Sequence, residues 1–91
     1  MFNKGRKKGT VRFAIDPGPN VSKVTVAGDF SEWEPVTMRR QKNGQFVALV
    51  SLTPGSHEYK FLLDGHWVTD PDNGTWALNP FGTVNSIAQV E

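Results

Sequence analysis

The stretch "HEYKFLLD", residues 57–64, decides the fold. In an extended chain successive side chains alternate faces, so Tyr59, Phe61 and Leu63 fall on one side while Glu58, Lys60 and Leu62 fall on the other. That pattern predicts a strand with its aromatic face on a core. "TVRFAI" (10–15) repeats it, with Val11, Phe13 and Ile15 opposed to Arg12, and so does "KVTVAG" (23–28), where Val24 and Val26 point one way. "QFVALVSL" (45–52) carries apolar residues on both faces and is expected as a central strand covered twice. "VTMR" (36–39) and "VNSIAQV" (84–90) are shorter candidates. Between the runs stand turn signals: Pro17-Gly18-Pro19-Asn20, Asn43-Gly44, Pro54-Gly55, Asp64-Gly65 and Asn73-Gly74. No window combines helical periodicity with a preceding cap and a following glycine. Short strands, regular turns and no helix predict an all-β sandwich or small barrel.

A chain of 91 residues suits one domain, and its interior is only just large enough to fold without staples. Ten Lys and Arg against nine Asp and Glu leave a formal charge of +1, too little for a field that gathers nucleic acid or acidic membrane. There are no cysteines, which removes disulfide frameworks and thiolate metal sites and is compatible with a reducing cytoplasmic setting. No apolar run reaches the about 18 residues of a spanning helix. The opening "MFNKGRKKG" is basic without an apolar segment after it, so a non-secreted protein is expected. Residues 1–9, with Lys4, Arg6, Lys7 and Lys8 among glycines, read as a flexible basic tail before a domain at 10–91. A basic arm on a polyanion is the sharper alternative.

The tryptophans are the residues in search of a use. Trp33, in "GDFSEWEP", follows the end of a strand and has solvent-loving neighbours, with Phe30 the better candidate to pack inward. Trp67 lies just past the Asp64-Gly65 turn in a polar setting, while Trp76, in "NGTWALNP", equally suits a cover for an open end of the sandwich. Two exposed indoles on a rigid β scaffold, with polar groups near them, suggest a binding face. A pyranose ring offers a flat patch of C–H groups to an indole, and hydroxyls at its edge that need directed donors and acceptors. Lys60 points away from the core, and the turn at Asp64-Gly65 brings Trp67 back beside it.

Catalytic apparatus is not evident. Asp29 with Glu32, and Asp70 with Asp72, are close in sequence, but a glycosidase needs two carboxyls facing across a cleft. "DPDNG" misplaces its glycine for a calcium loop and lacks the downstream acid. His57 and His66 have no nucleophile constellation around them. No cofactor and no metal are expected.

Taken in order, "VTVAGDFSEWEPVTMRR", "HEYKFLLDGHWVTDPDN" and "FGTVNSIAQV" closely resemble the glycogen-binding modules of carbohydrate-binding module family 48. The family includes the module of the β subunit of AMP-activated protein kinase and modules preceding the catalytic domain of branching and debranching enzymes. The resemblance covers roughly residues 10–90, and its motifs G-D-F-x-x-W, Y-K-F-x-x-D-G-x-W and G-T-V-N-S are specific together. It implies an immunoglobulin-like antiparallel β-sandwich of the early-set type that binds α-1,4-linked glucans and catalyses nothing. It implies Trp33 and Trp67 as the sugar-stacking pair, with Lys60, Thr83 and Asn85 as polar contacts. Where the kinase module has a leucine reaching past the sugar, this chain has Phe81, which either stacks on glucose or packs inward. Asn85 shares strand parity with Ile87, so a bend or bulge near Gly82 is expected to separate their faces.

The reading is therefore a non-catalytic module that holds a larger polypeptide, or a partner such as a glycogen-metabolising enzyme or kinase subunit, on an α-glucan. Its first rival is a docking domain of an enzyme or kinase complex with little sugar affinity. The second is a small β-domain that stacks single-stranded nucleic acid on its aromatics. Near-neutral charge argues against the latter, and neither nucleic acid nor membrane is expected as a partner.

Overall fold

A computed structural model describes residues 2–4 by their backbone and residues 9–90 with side chains. Ten strands follow in chain order: β1 (Phe2–Lys4), β2 (Thr10–Ile15), β3 (Val24–Gly28), β4 (Val36–Thr37), β5 (Arg39–Arg40), β6 (Phe46–Ser51), β7 (Gly55–Leu63), β8 (His66–Val68), β9 (Trp76–Leu78) and β10 (Val84–Val90). A single 3-10 turn, Asp29–Ser31, is the one helical element among the described residues. One sheet has the order β1-β2-β6-β5, the other β4-β3-β7-β10-β9 with β8 also on β7, and every pairing is antiparallel.

The two sheets form a sandwich because each presents one apolar face. Val11, Phe13 and Ile15 of β2 and Phe46 and Ala48 of β6 close against Val24 and Val26 of β3, Tyr59 and Phe61 of β7 and Ala88 of β10. Aromatic contacts occupy the centre, with Phe13 and Tyr59 ring centroids 4.8 Å apart and Tyr59 edge-on to Phe61 at 5.8 Å. Phe30 stacks on Phe13 at 5.6 Å, the inward packing expected of it.

Two local expectations come out differently. "VTMR" is two strands in different sheets: β4 pairs with β3, β5 pairs with β6, and the chain crosses between the sheets at Met38. Met38 is buried, and its N–H donates to the Val24 carbonyl at 3.0 Å, so the crossing residue closes the core. "QFVALVSL" is covered on one face rather than two, since a two-layer sandwich covers each strand once. Leu49, opposite Arg12 on the outer face, is 66 % exposed. Within the expected basic tail, the backbone of Phe2–Lys4 extends the first sheet by pairing Phe2 with Phe13 and Lys4 with Val11. Residues 1 and 5–8 of that tail lie outside the described residues.

Candidate functional site

The outer face of the second sheet carries the site. Alternation in β7 that sends Tyr59 and Phe61 into the core turns Glu58, Lys60 and Leu62 outward. β10 pairs with β7 as far as Tyr59, and β8 takes over that edge from Phe61, so Lys60 sits where one partner strand gives way to the next. Continuing the β10 register by one residue sets Asn85 across from Lys60.

Trp67 stands opposite Leu62 on the same face. The hairpin that places it turns at Asp64 (φ +46°) and Gly65 (φ +89°), the paired left-handed conformation that matches strand twist. Asp64 also clamps the neighbouring loop: its carboxylate accepts the N–H groups of Ser22 at 3.1 Å and Lys23 at 2.8 Å. Trp67 is left 51 % exposed.

Trp33 arrives by a less common route. After the 3-10 turn, Glu32 (φ +53°) and Trp33 (φ +60°) are both left-handed, a conformation costing bulky L-residues on the order of 1–3 kcal/mol each. Anchors on both sides hold it. The Trp33 N–H donates to the Gly28 carbonyl and the Glu34 N–H to the Ser31 carbonyl, each at 2.9 Å. Asp29 accepts the Glu58 N–H at 3.0 Å and lies 3.3 Å from His57 Nδ1, tying the turn to β7. Gly28 leaves no room for a side chain: a Cβ there would stand 2.5 Å from the Glu58 carbonyl oxygen and 2.3 Å from the Phe30 ring. This close packing aims the Trp33 indole outward, 38 % exposed.

The β9–β10 hairpin supplies the far wall. Asn79 and Thr83 close it through an N–H···O bond of 2.8 Å, with Gly82 at φ +81°, and Phe81 projects from its tip at 90 % exposure. Phe81 therefore does not pack inward. Asn79 Nδ2 donates to Thr83 Oγ1 at 2.6 Å and to Asn85 Oδ1 at 3.1 Å; Lys60 Nζ donates to Thr83 Oγ1 at 3.3 Å, and Asn85 Nδ2 to Glu58 Oε1 at 3.1 Å. Together these walls bound an open cleft of about 470 Å³.

All six residues singled out in the sequence, Trp33, Lys60, Trp67, Phe81, Thr83 and Asn85, line this one cleft. Asp29, Glu58, Leu78, Asn79 and Pro80 line it too and were not singled out as sugar contacts. Asn79-Pro80 is a turn dipeptide, the signal that points to the hairpin tip. Trp76 lies outside the cleft, on edge strand β9 opposite Ser86, and is 60 % exposed. Asn85 and Ile87 do share one face, and β10 runs unbroken through both. No bulge is needed, because Ile87 faces outward opposite Glu58 instead of entering the core, and Asn85 is covered by its partners Asn79 and Glu58.

Asp70 and Asp72 serve the loop behind Trp67. Asp70 is buried, accepts the Tyr59 hydroxyl at 2.7 Å and the Asp72 N–H at 2.9 Å, and donates its own N–H to Ser86 Oγ at 2.8 Å. Asn73 Nδ2 donates to the Tyr59 oxygen at 2.9 Å and to the Ile87 carbonyl at 2.8 Å. Burial pushes the Tyr59 phenol far above its ordinary range, and the bond and charge of Asp70 reinforce that shift against the opposing bond from Asn73. Among the described residues no three His, Cys, Asp or Glu side chains come together as a metal site.

Chemically, the cleft offers two half-exposed indole surfaces, a phenyl lip, and a rim of hydroxyl, amide and ammonium groups. Such a surface fits a ligand with flat C–H faces and a hydroxylated edge.

Comparison with known proteins agrees with this architecture. A maltogenic amylase from S. marinus superposes over 100 % of the chain with a TM-score of 0.82 at 23 % identity, using 16 % of that enzyme. A putative α-amylase from Salmonella typhimurium superposes over 94 % with a TM-score of 0.70 at 27 % identity, using 14 % of that chain. In sequence, 5'-AMP-activated protein kinase subunit beta-1 is 41 % identical over 68 residues in Sus scrofa and 40 % in Homo sapiens, and subunit beta-2 of Mus musculus is 34 % identical. Each match takes in 75 % of this chain and 54 %, 24 % and 25 % of the respective relative, so the chain spans about half or a quarter of the length of these proteins. The family model described as the glycogen recognition site of AMP-activated protein kinase matches residues 11–91, and the chain belongs to that carbohydrate-binding, non-catalytic family.

Proposed function

We propose that residues 10–91 bind α-1,4-linked glucans such as glycogen, starch-like polymers or maltooligosaccharides in the cleft between Trp33 and Trp67. The observation that carries the reading is the convergence of two exposed indoles and a hydrogen-bonded polar rim on one open cleft. The indoles cover successive stretches of a curved glucan, and Phe81 forms the lip. Lys60, Thr83 and Asn85 orient the sugar hydroxyls. The domain performs no bond cleavage: Asp29 is bonded to the backbone of Glu58 itself, which puts the two cleft carboxylates on one wall instead of across the ligand.

Binding holds a longer polypeptide, or a kinase or glycogen-metabolising partner, on the polymer in the cytoplasm. No described helix is long and apolar enough to cross a membrane. Nucleic acid is disfavoured, since Asp29 and Glu58 share the cleft with Lys60 and repel phosphate. A docking role is favoured by one separate feature, the exposed Leu49 beside Arg12 on the outer face of the other sheet, and it is compatible with glucan binding on the opposite side.

The test is calorimetric titration with maltoheptaose, β-cyclodextrin, cellohexaose and a homopolymeric oligonucleotide at two salt concentrations. Kd on the order of micromolar to millimolar for the first two, with none for the β-linked glucan, supports the reading. Salt-sensitive binding of the oligonucleotide alone refutes it.

A further inference from the structure

Asn79 is the most connected side chain of the cleft, yet none of its polar valences is left for a ligand. Its Oδ1 accepts the backbone N–H of Phe81 at 3.0 Å and of Thr83 at 3.2 Å. Backbone amides only donate, so those two bonds fix which end of the Asn79 amide is oxygen. Its Nδ2 must then face Thr83 Oγ1 and Asn85 Oδ1, where both of its hydrogens are used.

The consequence falls on Thr83. A hydroxyl has two lone pairs and one hydrogen, and Thr83 Oγ1 receives hydrogen bonds from Asn79 Nδ2 and Lys60 Nζ, neither of which can accept. Both lone pairs are occupied. The remaining valence is the O–H, on a residue that is exposed in the cleft wall. The same orientation passes along the sheet: Asn85 Oδ1 accepts from Asn79, so Asn85 Nδ2 points to Glu58 Oε1. Main-chain polarity at the hairpin tip thus dictates the polarity of three side chains on the cleft wall.

We propose that Asn79 is a positioning residue that makes the Thr83 hydroxyl a dedicated hydrogen-bond donor toward an oxygen of the bound sugar. The proposal rests on the α-glucan reading and adds to it the direction of one contact. A sugar oxygen with a free lone pair is recognised at Thr83, and a ligand group that can only donate there is rejected.

Asn79→Asp isolates this role from that of the turn. The substituted carboxylate has the same shape and still accepts both backbone N–H groups, but it cannot donate to Thr83 or Asn85, and it draws the Thr83 O–H toward itself. Expected is a protein that still folds, with a lowered melting temperature because the buried Asn85 Oδ1 loses its donor, and with maltoheptaose affinity lowered roughly tenfold, the loss of one donor directed at the ligand. Thr83→Val should lower affinity similarly, Thr83→Ser should restore it, and the double variant Asn79→Asp/Thr83→Val should bind no more weakly than the weaker single variant. Folded Asn79→Asp with wild-type affinity, or single effects that simply add, overturns the proposal while leaving glucan binding in place. Absence of maltoheptaose binding by the wild type overturns the glucan reading itself and this contact with it.

Discussion

Trp67→Ala should weaken maltoheptaose binding more than Trp33→Ala, and the structure supplies the magnitudes. A tryptophan presents about 250 Å² of surface, at the upper end of the aromatic range. With 51 % exposed, Trp67 keeps ~125 Å² in solvent, of which a sugar on one face covers roughly half. That area and a similar area of sugar C–H surface give ~120 Å² removed from water, or ~3 kcal/mol at ~25 cal/mol/Å². Ordering the flexible glucan and desolvating its hydroxyls reduce the net to about 1.5–3 kcal/mol, a tenfold to hundredfold loss of affinity. Trp33, 38 % exposed, scales to about 1–2 kcal/mol. Isothermal titration of both variants beside the wild type, with thermal melts to establish folding, measures the difference. Wild-type affinity in a folded Trp67→Ala protein would refute the stacking role, and a larger loss at Trp33 would refute the area argument.

Four further outcomes are expected. Asn85→Ala should cost about 1–2 kcal/mol of glucan affinity by titration, and because Asn85 is nearly buried between two partners its melting temperature should also fall. Phe61→Ala opens a cavity at the centre of the sandwich and should cost ~3–5 kcal/mol in denaturant unfolding, enough to unfold a domain of this size. Gly28→Ala puts a methyl group against the Glu58 carbonyl, a backbone atom that cannot yield, and should cost ~1–3 kcal/mol in the same assay and loosen the Trp33 loop. Tyr59, the chain's single tyrosine, keeps its proton in the folded state well beyond the ordinary phenol range near pH ~10. Its contribution is complete below the unfolded value and lost as pH rises above it, because the unfolded chain releases a proton that the folded one retains. Phenolate absorbance should therefore appear only as the fold is lost, and ionisation near pH ~10 in an intact fold would contradict the buried network.

Much of the fold was legible because period-two alternation is a direct record of which face meets the core. Tyr59 and Phe61 against Lys60, and Val11 and Phe13 against Arg12, needed no tertiary information. The crossing at Met38 was not legible, since two-residue strands carry no period and membership of a sheet depends on what pairs alongside. The outward Leu49 shows the converse: apolar residues on both faces of β6 do not by themselves state that both faces are covered. At the site, the indoles and Lys60 followed from polar neighbours, parity and turn chemistry. The left-handed backbone of Glu32 and Trp33 did not, because neither residue type favours that region and only the surrounding contacts impose it. Asn79 passed unnoticed for a related reason, as its hydrogen bonds join residues whose proximity exists only once the hairpin has closed.

Mapping maltoheptaose onto the folded domain by amide chemical-shift perturbation tests most directly the proposal that this cleft binds glucan. Shifts that saturate with added sugar and gather on Trp33, Lys60, Trp67 and residues 79–85, with Arg12, Arg39 and Leu49 on the opposite outer face unmoved, are the expected result. Saturable shifts centred on that opposite face, or none up to millimolar sugar, would contradict it.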